Sequence, residues 1–162
     1  METATASLKL QFDLHTRLFN NATAGISDDE SHSRHSEQVN HMKWIAGHLL
    51  NTRLTGMSRV AGLQPDETYS AQFARGVSLD PGASYPPFEE ITSKWKEVAA
   101  AIGAGISKIP EGVLATKTTV KAPIEDDTIR GLLSFLISHE AYHIGQLGIL
   151  RKTIGKEPMS YA

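Results

Sequence analysis

Between Asp127 and Gly155, the residues Leu132, Leu136, His139, His143, Gln146 and Leu150 follow one another at steps of four, three, four, three and four. Such a seam belongs to an α-helix of many turns and not to a strand, whose side chains alternate every second residue. A helix with one apolar seam needs other helices to cover it, and the rest of the chain offers three. Leu8, Phe12, His15, Phe19 and Ala22 form one stripe over a predicted first helix from about Ser7 to Ala22. A second helix is predicted from Ser36, read as its N-cap, to about Thr55, with Gly56 as its stop. Val39, Met42, Ala46 and Leu49 make one of its stripes, and His41, Ile45, His48 and Thr52 make the neighbouring one. The third opens at Pro86-Pro87, where proline is tolerated, and carries Glu89 and Glu90 near the positive end of its dipole. It buries Phe88, Ile91, Trp95, Val98, Ile102 and Ile106 and ends at Pro110-Glu111-Gly112. The fourth helix, which carries the long seam, is expected to be capped by Asp126 or Asp127.

The connections read differently. Ser27 to His35 is too polar to bury much and reads as a loop. Gly62 to Pro87 is irregular apart from a short helix around Asp66–Ala74, and it is longer than most helix–helix connections, which points to a functional segment. Its Tyr69, Phe73 and Tyr85 are candidates to cover a pocket mouth. Val113 to Ile124 is a second connection with an alternation that suits extended chain. The expected architecture is all-α: a four-helix bundle with a long connection after helix two, forming a single domain over residues 1–162.

Composition narrows the function classes. The chain of 162 residues is 40% apolar and 21% charged, with a formal net charge of −2, so nothing electrostatic calls for a nucleic-acid partner. There is no cysteine, which excludes disulfides, thiolate ligands and a cysteine nucleophile. Any tight transition-metal site must be built from histidine, carboxylate and water. The start, Met1-Glu2-Thr3-Ala4-Thr5, is polar, and no apolar run approaches a membrane span. A cytoplasmic protein with no membrane partner is the expectation.

The chemistry-bearing residues cluster near the end, in His139-Glu140-Ala141-Tyr142-His143-Ile144-Gly145-Gln146. Histidines four apart on a helix lie one turn apart on one face and can grip a single ion; the alternative is a hydrogen-bonded polar layer in the core. The run also satisfies HExxH, the zinc-protease spacing, in which the glutamate is the general base. The further downstream ligand and the substrate-aligning edge strand of such proteases are missing, so Glu140 is expected to support the site or face solvent. A histidine on the buried face of helix two, His48, can meet this pair across an antiparallel bundle and complete an open three-histidine site. His15 reads as a hydrogen-bonded core histidine, His41 as a buried-edge residue or a supporting hydrogen-bond partner, and His32 and His35 as solvated.

The phrase Trp44-Ile45-Ala46-Gly47-His48-Leu49, together with His139-Glu140-Ala141-Tyr142-His143-Ile144-Gly145-Gln146, resembles the DinB/YfiT-like superfamily of metalloenzymes over essentially the full chain. The resemblance implies an up-down-down-up bundle and a divalent metal, zinc or nickel, held by His48, His139 and His143, with Gly145 and Gln146 in the motif but not ligands. It also implies a metal-dependent enzyme that activates water or a low-molecular-weight thiol, as in relatives that use bacillithiol or mycothiol. With no cysteine in the chain, such a thiol arrives as a cosubstrate. The alternative is a non-catalytic metal- or small-ligand-binding bundle. The expected partners are a small-molecule substrate and a second copy of the chain, docked through helix one or the outer faces of helices one and three. The Gly62–Pro87 segment and Glu157-Pro158-Met159 are the expected pocket lining.

Overall fold

The structure, a computed structural model, describes residues 4–161; of the polar N-terminal run, residues 1–3 lie outside the described residues. Among the described residues eight helices follow in chain order: α1 (Ala4–Thr23), α2 (Asp28–His32), α3 (Met42–Gly56), α4 (Ser58–Ala61), α5 (Glu67–Phe73), α6 (Phe88–Ile106), α7 (Glu111–Leu114) and α8 (Ile129–Thr153). Among the described residues the only bridge between extended segments joins Lys117 to Thr128, and no helix is long and apolar enough to cross a membrane. The four long helices α1, α3, α6 and α8 are the predicted ones, and they form the bundle.

Each of α1 and α3 packs against both α6 and α8. Residue pairs fix the directions. His15 meets Glu140 and Ala22 meets Arg151, so α1 and α8 run parallel. Phe19 stacks on Trp95 while Gly103 lies beside Lys9, so α1 and α6 run antiparallel. Gly56 lies against Leu136, and His48 against His143, so α3 and α8 are antiparallel. The bundle is therefore up-down-down-up.

Several boundaries move from their expected places for local reasons. The second long helix begins at Met42, not Ser36, and its N-cap is His41, whose Nδ1 accepts from the Trp44 backbone N–H at 3.0 Å. Within the polar stretch after α1, Ser27 and Glu30 form a reciprocal capping box and nucleate α2. Thr128, not an aspartate, caps α8 by accepting from the Gly131 N–H, while Asp126 accepts from Thr128. The short helix of the long connection is α5, capped by Asp66. Its Tyr69 and Phe73, with Tyr85 further on, are buried and fill the core instead of covering a pocket mouth.

The most buried stripe of α8 is Leu133, Ile137, Glu140, Ile144 and Leu147, one position round from the expected seam. At its centre Glu140 is fully buried and forms a two-pronged ion pair with Arg53 of α3, at 2.7 and 2.9 Å. His15 Nδ1 donates to the same carboxylate at 3.2 Å, and the Arg53 guanidinium lies 3.6 Å from the Trp95 ring centroid. One charge pair thus ties α1, α3, α6 and α8 together. Burial pushes the Glu140 carboxyl up, but the charge and hydrogen bonds of Arg53, aided by His15, outweigh it and hold it below its ordinary value.

Two predictions follow from these contacts. Replacing Glu140 by Gln leaves the Arg53 charge buried without a counter-charge and is expected to cost about 3–5 kcal/mol. Urea unfolding of Glu140→Gln checks this, and a midpoint equal to wild type would show that the pair does not hold the fold. The second concerns acid. Burial, then the charge of His32, pulls the His41 pKa down to about 4. Between that value and the unfolded value near 6.5 the unfolded chain binds more protons, so stability falls as pH falls through this window. Asparagine at position 41 keeps a cap acceptor and removes the titration. His41→Asn should therefore flatten the loss of stability between about pH 6.5 and 4, measured as unfolding midpoint against pH. Superimposable profiles would refute the assignment.

Candidate metal centre

His48 of α3 and His139 and His143 of α8 come together as three imidazoles, each offering one ring nitrogen, with those nitrogens within 4.8 Å of one another. Nε2 of His48 and Nε2 of His139 are 3.1 Å apart. Two nitrogens on one tetrahedral zinc at ~2.0–2.1 Å stand roughly 3.3–3.4 Å apart, so these two rings need almost no movement to share an ion.

The orientation of each ring has a cause. His48 Nδ1 donates to the Phe73 carbonyl at 2.7 Å, and its ring stacks on Trp44 with planes 7° apart. His143 Nδ1 donates to Gln146 Oε1 at 2.6 Å, one turn along the same helix. In both rings the proton is thereby placed on Nδ1 and the lone pair on Nε2, which is how metal-ligating histidines are usually prepared. His139 Nδ1 is buried without a hydrogen-bond partner, so that ring meets the cluster through Nε2 alone. Burial, reinforced by the neighbouring His143 and His48, pulls the His139 pKa down to about 4. Burial also lowers those of His48 and His143, against the raising effect of their acceptors Phe73 and Gln146. All three are neutral at pH 7, the form that ligates.

Glu140 takes no part in this group. One residue round the helix from His139, it points into the core to Arg53 and is unavailable as the general base of an HExxH protease. His15 stands with it, hydrogen-bonded in the core as expected. His41 is the α3 cap and neither joins nor supports the group. His32 is exposed and lies against the His41 ring, and His35 is exposed. The Glu157–Met159 segment lines no cavity at the histidines. Instead, Arg151 holds the Glu157 carbonyl and Met159 packs against Gly148.

Sequence reasoning missed Arg53 and the Phe73 carbonyl. A signal for Arg53 was present: it falls four residues after Leu49 on the apolar stripe of its helix, and a charge at a core position demands a partner. The Phe73 carbonyl carries no side-chain signal, but Gly47 does. A Cβ there would lie 2.5 Å from the Phe73 ring, so only glycine lets the end of α5 close on α3 and reach His48.

Two cavities flank the group. One, of about 590 Å³, is lined by all three histidines together with residues of α3, the α5 end, the Val120–Pro123 segment and α8. The other, of about 490 Å³, shares His48 and His143 with it and is otherwise bounded by the chain before α3 and by α3 and α8 themselves. A larger cleft of about 730 Å³, between the end of α1 and the start of α6, contains none of the histidines.

An all-helical bundle with three neutral histidines converging between two cavities describes a class of protein compatible with metal binding. The family model of the DinB superfamily matches residues 11–147, and the chain belongs to that superfamily. Its fold is similar to a solved structure described as "Crystal structure of the conserved protein of locus from Enterococcus faecalis", with a TM-score of 0.69 and 15% sequence identity over 95% of this chain and 98% of that one. No curated protein matches the chain.

The Gly47 contact yields a test of how the site is supported. Gly47→Ala is expected to push Phe73 away and release the His48 Nδ1 hydrogen bond, lowering metal affinity about 10–100-fold, the usual cost of losing such a support. Competitive zinc titration against a chromogenic chelator would measure it. Unchanged affinity would show that the α5 end does not position His48.

Proposed function

We propose that this protein is a metal-dependent enzyme in which His48, His139 and His143 hold a divalent ion, zinc or nickel, and a small substrate reaches it from the flanking cavities. The observation that carries the reading is the convergence of three neutral imidazoles with no carboxylate or further histidine among the described residues grouped with them. Three protein ligands leave coordination positions open, the arrangement of catalytic and not structural sites. A bound ion there would supply Lewis acidity and lower the pKa of a water or thiol.

The chain's own residues do the rest. Phe73 and Gln146 fix the tautomers of His48 and His143. Trp44 and Phe135 cover the rings of His48 and His139 and limit water around them. Glu140, paired to Arg53, sets the rotation of α8 without entering the chemistry. Because the chain lacks cysteine, a thiol nucleophile would be a cosubstrate, and thiol transfer or hydrolysis are the reactions this site suits. A homodimer in the cytoplasm, acting on a small molecule and on neither nucleic acid nor membrane, completes the proposal.

The experiment is elemental mass spectrometry on untagged protein purified without added metal, with wild type and His143→Ala side by side. Near-stoichiometric metal in wild type, lost in the variant, is the expected result. Chelation should also lower the wild-type melting temperature, since an ion bound only to the native state stabilises it by about 2.7 kcal/mol at a hundred times its Kd. Wild type that neither carries nor takes up a divalent ion would refute the proposal.

A further inference from the structure

The larger of the two cavities beside the histidines has a chemical bias that the smaller one lacks. Arg75 and Lys121 line it, both exposed and so at its rim, and among the described residues no aspartate or glutamate does. Neither cation has an ion-pair or hydrogen-bond partner among the described residues, so both guanidinium and ammonium are free to meet a ligand. Lys121 also borders a small depression containing Asp126 and Asp127, but those side chains are engaged by Thr128 and Lys117. Elsewhere, cations at cavities come with acids: Lys96 with Glu89 and Asp28, and Arg130 with Asp126.

Deeper in the same cavity one polar group, the amide of Asn51, keeps its donor protons free among the described residues. Asn51 is buried, and its Oδ1 accepts from Ser70 Oγ at 3.1 Å, while its amide NH2 has no partner among the described residues. The hydroxyls of Thr52 and Thr55 give their protons back to α3 carbonyls. Between rim and histidines the wall is apolar, from Val120, Pro123, Leu132, Phe135 and Leu136. The smaller cavity has no charged lining residue among the described residues.

We propose that the larger cavity is a subsite for a small organic acid, with Arg75 and Lys121 holding its anionic group, the Asn51 amide donating to it, and its apolar body lying along Phe135 and Leu136 toward the histidines. It deepens the enzyme reading by naming a substrate class and shares that site, but it depends on cationic rim residues and not on an ion. An uncharged co-reactant would use the other cavity, where Tyr142 and Ile149 stand exposed.

The test uses phenylacetate and its neutral isostere phenylacetamide as probes, titrated into chelator-treated, metal-free 15N-labelled protein and followed by the Asn51 side-chain amide resonance. Wild type should bind the acid about tenfold more tightly than the amide. Arg75→Gln and Lys121→Gln should each erode that preference, and the double variant should abolish it while leaving amide binding unchanged. Ile149→Ala, in the other cavity, should keep it. No saturable binding of the acid, equal affinity for acid and amide in wild type, or a preference that survives in the double variant would each overturn the subsite. So would a preference that appears only when zinc is added, because the anchor would then be the ion. In His143→Ala the preference should persist even if metal uptake is lost, so failure of the metal reading and failure of the acid subsite are told apart.

Discussion

The ion pair between Arg53 and Glu140 is the constraint on which the rest of this bundle depends. Both side chains are fully buried, and they meet at the centre of the core with His15 and Trp95. A buried pair of this kind adds little stability over an apolar pair of the same volume, because desolvation offsets the attraction. What it adds is exclusiveness. Rotating α8 by one residue, about 100°, would carry Glu140 out of reach of Arg53 and strand the guanidinium in an apolar core. Only one rotation of α8 keeps the charges together, and in that rotation the neighbouring residue His139 falls at the edge of the core beside His48. The glutamate of the HExxH run therefore acts one step removed from the histidines: its place in the core decides theirs.

The edge position has consequences of its own. On the predicted seam of α8 the leucines are buried, while His139, His143 and Gln146 are half-buried, because the seam turns from the core toward the two cavities in mid-helix. Rings there are dry enough to stay neutral and open enough to be reached. The long connection after α3 completes the arrangement, since α5 returns to deliver a backbone carbonyl to His48. That return requires the absence of a side chain at Gly47.

Much of this was legible in the sequence. The four long helices follow from apolar spacing alone, and the three histidines follow from their placement on two of those helices together with the DinB-like phrases. The misses have specific physical causes. Ser36 looks like a cap, but Val39 and Asn40 are weak helix formers, and a buried histidine that can accept from Trp44 took the role instead. The Ser27-x-x-Glu30 pattern is a capping box in plain sight, masked by the polarity of its surroundings. The aromatic residues of the long connection were placed at a pocket mouth because a loop is expected at the surface, but α5 packs them into the core. Glu140 was expected to support the site or face solvent, because a carboxylate beside two histidines or alone belongs in one of those places. Its burial depended on Arg53, 87 positions away, and a pair separated so far in sequence has no local signature.

The balance of donors and lone pairs at the three histidines separates a polar core layer from a cation site. A polar layer spends each N–H on an acceptor within the layer. Here His48 and His143 spend theirs outward, on Phe73 and Gln146, so both present lone pairs to the group. One N–H remains, on His139 Nε2, and it can serve only one of them; holding it there strips His139 Nδ1 of its proton and leaves a bare, buried lone pair. Such a cluster has more lone pairs than protons and calls for a positive charge. A proton could supply it, but burial lowers the proton affinity of all three rings. A divalent ion accepts several lone pairs at once, and each bond to a neutral imidazole replaces one of the waters the ion itself gives up on entering. The same burial that drives the proton off thus favours the metal over the proton as the occupant of the site.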